Sequence, residues 1–154
     1  MVKKIFATVG STYPLDRMIK ELDSVGKDKK YKIFAQIGES EYTPKNIEFT
    51  KFLTYTKMQS KIKWADLIIS HAGAGSVIDL LTSNKNFILF PRLKKYSEAV
   101  DDHQLELCEA FEKRYGISYI LKESGLEKNL NFRIKLIKKN KSKSLVNTIK
   151  KFIG

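Results

Sequence analysis

Short apolar runs alternate along this chain with stretches whose apolar positions recur every three or four residues, the pattern of strands alternating with helices. Residues 3–9, Lys-Lys-Ile-Phe-Ala-Thr-Val, read as a first strand stopped by Gly10-Ser11-Thr12. A helix follows with Leu15, Met18, Ile19 and Leu22 on one face, and Pro14 suits its first turn, where the N–H that proline lacks is not needed. A polar break at 28–30 leads into a second strand over 31–37 that stops at Gly38, and 38–46 is loop. Residues 47–50 make a short third strand, and the next helix carries Met58, Ile62 and Trp64-Ala65. The run 67–70 is a fourth strand, followed by a small-residue turn and a helix from about Ser76 to Ser83. Residues 87–90 form another strand ending at Pro91, and 92–101 is a basic-then-acidic loop. From about Asp102 a long helix places Leu105, Leu107, Cys108, Phe111 and Tyr115 near one face and ends at Gly116, a natural left-handed cap. Residues 117–121 read as a last strand, and a final helix over 142–153 shows Leu145, Val146, Ile149, Phe152 and Ile153 at helical spacing.

The strands are continuous apolar runs, so both of their faces must be covered, which calls for a parallel sheet between two layers of helix. The expected fold is α/β: a single Rossmann-like domain over residues 1–154, with about six parallel strands. No repeat, low-complexity segment or Gly/Ser/Pro-rich linker offers a domain boundary. Ligands of such sheets bind at the carboxyl ends of the strands, and both Gly10-Ser11-Thr12 and residues 71–76 fall there, so two turns face one crevice.

Composition narrows the class. Apolar residues make up 42% of the chain and aromatics 11%, as in a folded globular protein, and no apolar run is long enough to span a bilayer. No charged-then-apolar leader opens the chain, so a cytoplasmic location is expected. The single cysteine, Cys108, lies in a helical pattern and reads as a small core filler. A net charge of +12 admits nucleic acid, an anionic membrane surface or an acidic substrate as partner. Lys135, Lys138, Lys139, Lys141, Lys143, Lys150 and Lys151 concentrate that charge near the end of the chain, either as a solvated surface or as a functional patch.

Candidate chemistry centres on Ala72-Gly73-Ala74-Gly75-Ser76, which carries nothing larger than a methyl group before Ser76. A ligand can approach such a main chain closely, and the helix behind it supplies partial positive charge, an arrangement that fits a diphosphate. The alternative is that Gly73 and Gly75 only let the helix pack tightly on the sheet. Neither turn is G-x-G-x-x-G, and there is no Gly-Lys-Ser/Thr, which excludes the usual dinucleotide and P-loop patterns. Asp79, one helical turn past Ser76, is either a ribose ligand or a carboxylate complementing the helix dipole. His71 either donates to a phosphate or holds the loop, and Asp102-His103-Gln104 is either a capping cluster with Asp102 as N-cap or a set of sugar-binding groups. No Cys/Asp/Glu partner stands at metal-ligand spacing from either histidine, so no metal is expected.

Together, Gly10-Ser11-Thr12, the string Ala65-Asp66-Leu67-Ile68-Ile69-Ser70-His71-Ala72-Gly73-Ala74-Gly75-Ser76 and Asp102-His103-Gln104 resemble the small, donor-binding subunit of two-part GT-B glycosyltransferases. These have a domain like the C-terminal one of glycosyltransferase family 28. Relatives include the subunit of the N-acetylglucosaminyltransferase of dolichol-linked oligosaccharide synthesis and bacterial capsule and exopolysaccharide transferase subunits. The C-terminal half of the transferase that makes lipid II is more distant. The resemblance covers about residues 2–119. It implies that the chain binds a UDP-sugar as substrate, with no cofactor, and transfers a hexose, hexuronic acid or N-acetylhexosamine without a metal. By the same resemblance Gly10, Ser11, Thr12, His71, Gly73, Ala74, Gly75 and Ser76 would face the diphosphate. Asp79 would bind ribose where the family more usually has glutamate, Phe52, Tyr55 and Met58 would lie beside the uracil, and His103 and Gln104 would approach the donor sugar.

A GT-B transferase closes a crevice between two Rossmann-like domains, and this chain supplies one, so the resemblance implies half an enzyme. The implied partner is a membrane-anchored subunit that binds a polyprenyl-diphosphate-linked saccharide acceptor and carries the general base. The chain would then be peripheral to the cytoplasmic face of a membrane, where basic charge suits anionic lipid. Two other classes compete: a non-catalytic stabilising subunit of such a transferase, and a basic nucleic-acid-binding protein, for which no reading motif is present.

Overall fold

A computed structural model of the chain describes residues 2–121 together with Leu126 and Leu130. Among these residues five strands and four helices follow one another, with β2 leading directly to β3: β1 (Lys3–Thr8), α1 (Asp16–Val25), β2 (Tyr31–Gln36), β3 (Glu48–Thr50), α2 (Tyr55–Trp64), β4 (Leu67–His71), α3 (Ala74–Ser83), β5 (Asn86–Phe90) and α4 (His103–Tyr115). A 3₁₀ turn at Lys94–Tyr96 breaks the loop before α4. The sheet is wholly parallel with the order β3-β2-β1-β4-β5. Strand order therefore reverses between β1 and β4, and the crevice that ligands use in doubly wound folds opens there.

Two apolar layers hold the sheet. On one face Leu15, the cap residue of α1, and Met18, Ile19 and Leu22 within that helix, all fully buried, pack on Ile5, Ala7, Ile33 and Ile69, with Leu126 and Leu130 in the same cluster. On the other face Ile62 of α2, Val77, Leu80 and Leu81 of α3 and Leu107, Cys108 and Phe111 of α4 cover Phe6, Ile68 and Leu89. The strands thus bury both faces, as their continuous apolar runs require. Burial pushes the Cys108 thiol well above its ordinary range, as befits a core side chain. No helix among the described residues is long and apolar enough to cross a membrane.

Local chemistry sets the ends of the elements. The Thr54 hydroxyl accepts from the Lys57 amide at 3.3 Å and starts α2. The Lys85 ammonium donates to the Lys63 and Ala65 carbonyls at the other end of that helix. Gly116 closes α4 in the left-handed region, at φ 69°.

The structure departs from the sequence reading at four places. Residues 117–121 do not form a sixth strand: Tyr119 makes a single parallel bridge to Leu89, through Leu89 N–H to the Ser118 carbonyl and Ile120 N–H to the Leu89 carbonyl. Ile117 and Ile120 still bury their side chains on opposite faces of the sheet, so the alternation is met by one bridge. Pro14 precedes the cap residue Leu15 and lies outside α1. Helix α3 begins at Ala74 with Gly73 as its cap, two residues earlier than expected, because the small residues wind into its first turn. Asp102 holds the cap position of α4 without capping it: its carboxylate accepts from the Lys94 amide at 2.9 Å, and Asp101 takes the His103 amide at 3.0 Å instead. The terminal lysine cluster and the 142–153 helix lie outside the described residues.

Candidate functional site

The carboxyl ends of β1 and β4 lie side by side, with Thr8 paired to Ser70, and the turns leaving them meet on one side chain. His71, the last residue of β4, inserts its imidazole between Gly10 and Gly73. A Cβ built on Gly10 would stand 2.5 Å from its Nε2, and one on Gly73 would stand 2.3 Å from its Cε1. Only hydrogen fits at either position. Gly10 also needs its freedom for a second reason, a φ of +76° that side chains disfavour.

The imidazole is held by hydrogen bonds that fix its tautomer. The Gly73 amide donates to Nδ1 at 3.2 Å, so Nδ1 carries no proton and Nε2–H donates to the Ser76 hydroxyl oxygen at 3.0 Å. Burial, and then the positive charge of Arg92, push the His71 pKa from 6.5 to about 3 and keep the ring neutral. The ring therefore caps α3, whose own cap residue has no side chain. The Ser76 hydroxyl hydrogen is left free to donate. The Ala74, Gly75 and Ser76 amides find no acceptor among the described residues, the first helical bond being Val77 N–H to the Gly73 carbonyl. A Cβ on Gly75 would meet nothing within 4 Å, so the first turn of α3 is open from outside at that point.

Beside this turn lies a cavity of about 360 Å³, at the small end of the range for ligand sites. It brings together six of the residues expected from sequence: Thr12, His71, Gly73, Ala74, His103 and Gln104. Gly10 stands behind it on the imidazole. Ser11, Gly75, Ser76 and Asp79 are not among its walls. Asp79 is exposed one turn along α3. Phe52 and Tyr55 are exposed at the entry to α2, 46% and 74% accessible, whereas Met58 is half-buried against the core. Gln104 spends its side-chain carbonyl on the scaffold: Oε1 accepts from the Ala72 amide at 3.1 Å and the Arg92 amide at 3.0 Å, which ties the β4 and β5 turns together. His103 is exposed at the mouth, its ring 3.6 Å from Glu106.

Sequence reasoning missed Tyr13, Arg92, Val100 and Leu107 in the cavity wall. Arg92 is the most informative of them. It is 97% buried, and its Nη2 donates to the Val9 carbonyl at 2.7 Å and to the Tyr13 carbonyl, binding the β1 turn to the end of β5. A cation just after Pro91, which ends the apolar run 87–90, was the available signal. Behind it Arg17 and Glu98 form a buried bidentate pair, with Arg17 Nε to Oε2 at 3.1 Å and Nη2 to Oε1 at 2.9 Å. The Arg17 guanidinium lies 4.4 Å from the centre of the Phe90 ring. This pair orders the loop over 92–101 into a wall of the cavity.

A doubly wound sheet whose switch point presents free helix N–H groups next to a cavity defines a class, the Rossmann-like domains, which take phosphate-bearing ligands at this edge. Within that class the chain belongs to the glycosyltransferase family 28 C-terminal domain family, whose sequence profile matches residues 4–153. It is 41% identical over 87 residues to the UDP-N-acetylglucosamine transferase subunit ALG13 of Candida albicans, covering 56% of this chain and 28% of that one. It is 36% identical over 69 residues to a UDP-N-acetylglucosamine–N-acetylmuramyl-(pentapeptide) pyrophosphoryl-undecaprenol N-acetylglucosamine transferase of Geobacter metallireducens, covering 45% of this chain and 18% of that one. The chain thus spans under a third of either relative's length. The solution structure of ALG13 shares the fold, with a TM-score of 0.63 at 22% identity over 97% of this chain and 98% of that one.

Proposed function

We propose that this chain is the donor-binding subunit of a two-part glycosyltransferase, holding a UDP-sugar whose diphosphate lies at the start of α3. The observation that carries the reading is the set of unpaired N–H groups of Ala74, Gly75 and Ser76 at the strand-order reversal, beside a cavity that fits one small ligand. Such donors, already oriented, stabilise charge that develops on a departing diphosphate. The Ser76 hydroxyl, which accepts from His71 and keeps its own hydrogen, adds a further donor.

The sugar then occupies the cavity, with His103 at its mouth. Asp79 reaches toward ribose, and the exposed Phe52 and Tyr55 flank the base. An acceptor hydroxyl attacks the anomeric carbon: the new C–O bond forms, the bond to the β-phosphate oxygen breaks with its electron pair leaving on UDP, and the hydroxyl proton passes to a base. That base belongs to the acceptor-binding subunit. The names of the relatives favour N-acetylglucosamine as the sugar and a polyprenyl-diphosphate-linked acceptor. A net charge of +12 suits work against anionic lipid at the cytoplasmic face of a membrane, with the chain held there through its partner. No metal or cofactor takes part in this reading.

The test titrates UDP-N-acetylglucosamine into the chain and into Gly75→Trp, followed by amide NMR, and then measures transfer with and without the acceptor-binding subunit. Gly75→Trp is expected to keep the fold and lose binding, since the indole fills open space. Equal transfer by the assembled complex after Gly75→Trp, with folding and assembly intact, would instead favour a non-catalytic subunit. Robust transfer by the chain alone would end the two-part reading.

A further inference from the structure

We propose that Arg92 is an anion-binding residue of the cavity, supplying the charge that recognises an anionic group of the ligand. This inference rests on the donor-site reading and extends it to a residue outside the helix N-terminus.

Arg92 and Arg17 are both nearly fully buried on the same side of the site, and the buried carboxylate Glu98 pairs with Arg17. Glu98 is already committed: both of its oxygens receive Arg17, and Oε1 also accepts the Leu93 amide at 3.0 Å. Among the described residues Arg92 makes no ion pair, and Glu98 acts on its charge only from a distance. Asp101, the acidic residue in the cavity wall, is exposed, accepts the His103 amide, and forms no ion pair with Arg92.

Arg92 also has unused hydrogen-bonding capacity. Its Nη2 is satisfied by the Val9 and Tyr13 carbonyls, but its buried Nε–H has no acceptor among the described residues. Holding two carbonyls uses Nη2 alone, so the scaffold leaves the Nε–H as a spare donor. A buried cation with an open N–H is costly by itself and becomes favourable once an anion accepts from it. The residue forms part of the cavity wall, so the anion comes from what the cavity holds. The charge is already felt across this space at His71, whose proton it helps to exclude.

Two anionic groups of a nucleotide-sugar meet this requirement: the diphosphate, and the carboxylate of a hexuronic acid. Wild-type protein, Arg92→Gln and Arg92→Lys are titrated with uridine, UDP, UDP-glucose and UDP-glucuronate. If the diphosphate is the partner, Arg92→Gln loses about tenfold in UDP affinity with uridine unchanged, and Arg92→Lys recovers most of it. If the carboxylate is the partner, only UDP-glucuronate is lost, with UDP and UDP-glucose unchanged. Parallel loss of uridine and UDP, or no change in any ligand, overturns the proposal and leaves Arg92 a scaffold residue. The Arg92 Nε–H resonance of the wild-type protein gives a readout independent of variant folding. It is expected to shift with UDP or inorganic pyrophosphate if the diphosphate is the partner, and with UDP-glucuronate alone if the carboxylate is. In either case uridine leaves it in place. A shift with pyrophosphate in a protein that binds neither uridine nor UDP would keep the anion role and end the donor-site reading. A resonance that none of these anionic ligands moves, in a protein that binds uridine, would do the reverse.

Discussion

Gly73 and Gly75 stand two residues apart in a string of small residues, yet they belong to opposite kinds of region. Gly73, together with Gly10 across the crevice, forms a closed socket filled by the His71 ring, in which every polar atom of the imidazole has a partner. Gly75 faces open space on a helix turn whose amides have none among the described residues. The closed region is preorganised by packing and is the source of rigidity. The open region is left unsatisfied and is where an incoming ligand gains hydrogen bonds. A site of this design separates the residues that hold its shape from those that contact the ligand.

The sharpest way to break this contrast is to add a methyl group on each side of it. Gly10→Ala should be the most damaging, combining a left-handed backbone with a clash against His71, a loss of roughly 2–5 kcal/mol. Gly73→Ala carries the clash alone and should cost roughly 1–3 kcal/mol. Urea denaturation of both variants measures these values, and wild-type stability in either would show that the socket is not packed as described.

A second test uses the neutrality of the ring. His71 titrates near 3 in the folded protein against 6.5 when free, so the unfolded chain takes up a proton in that window and the folded one does not. The contribution is complete above pH 6.5 and is lost as the pH falls. At about pH 5.5 it should amount to a loss of roughly 1 kcal/mol relative to neutral pH. In His71→Gln this slope should vanish; a slope that persists would assign it to other groups. Asp23, held below its ordinary 3.8 mainly by Tyr42 and the Asn46 and Lys45 amides against the opposing effect of burial, acts only at lower pH.

The smallest expected effect has the opposite sign. Gly75→Ala introduces no contact and improves helix propensity, so the fold should be unchanged or stabilised by up to about 1 kcal/mol. The added methyl group projects into the open region, so UDP binding should weaken even as stability holds. Equal binding would show that the ligand does not approach the main chain there.

Much of this could be seen in the residues beforehand. Leu15, Met18, Ile19 and Leu22 announced α1 by spacing alone, and all four are fully buried. The runs at 31–37 and 67–70 announced strands with both faces covered, and the parallel sheet follows from them. The last run, 117–121, has the same apolar character but only one pairing residue, because the Leu89 carbonyl and amide are the only strand groups that it reaches. Apolar alternation reports which side chains are buried, and it does not count backbone bonds.

The sequence by itself determined the alternation of strands and helices, the carboxyl edge on which the glycine-rich turns lie, and the small-residue string at the start of α3. All of these depend on neighbours within a few positions, where period and side-chain size act directly. Only the tertiary structure decided that Gly10 and Gly73 enclose His71, that Gln104 is engaged by the Ala72 and Arg92 amides, and that Arg92 is a buried cation in the cavity wall. These depend on groups far apart in the chain meeting at the crevice. Whether a donor or a charge there is free or already satisfied is set by what packs against it, which no local pattern encodes.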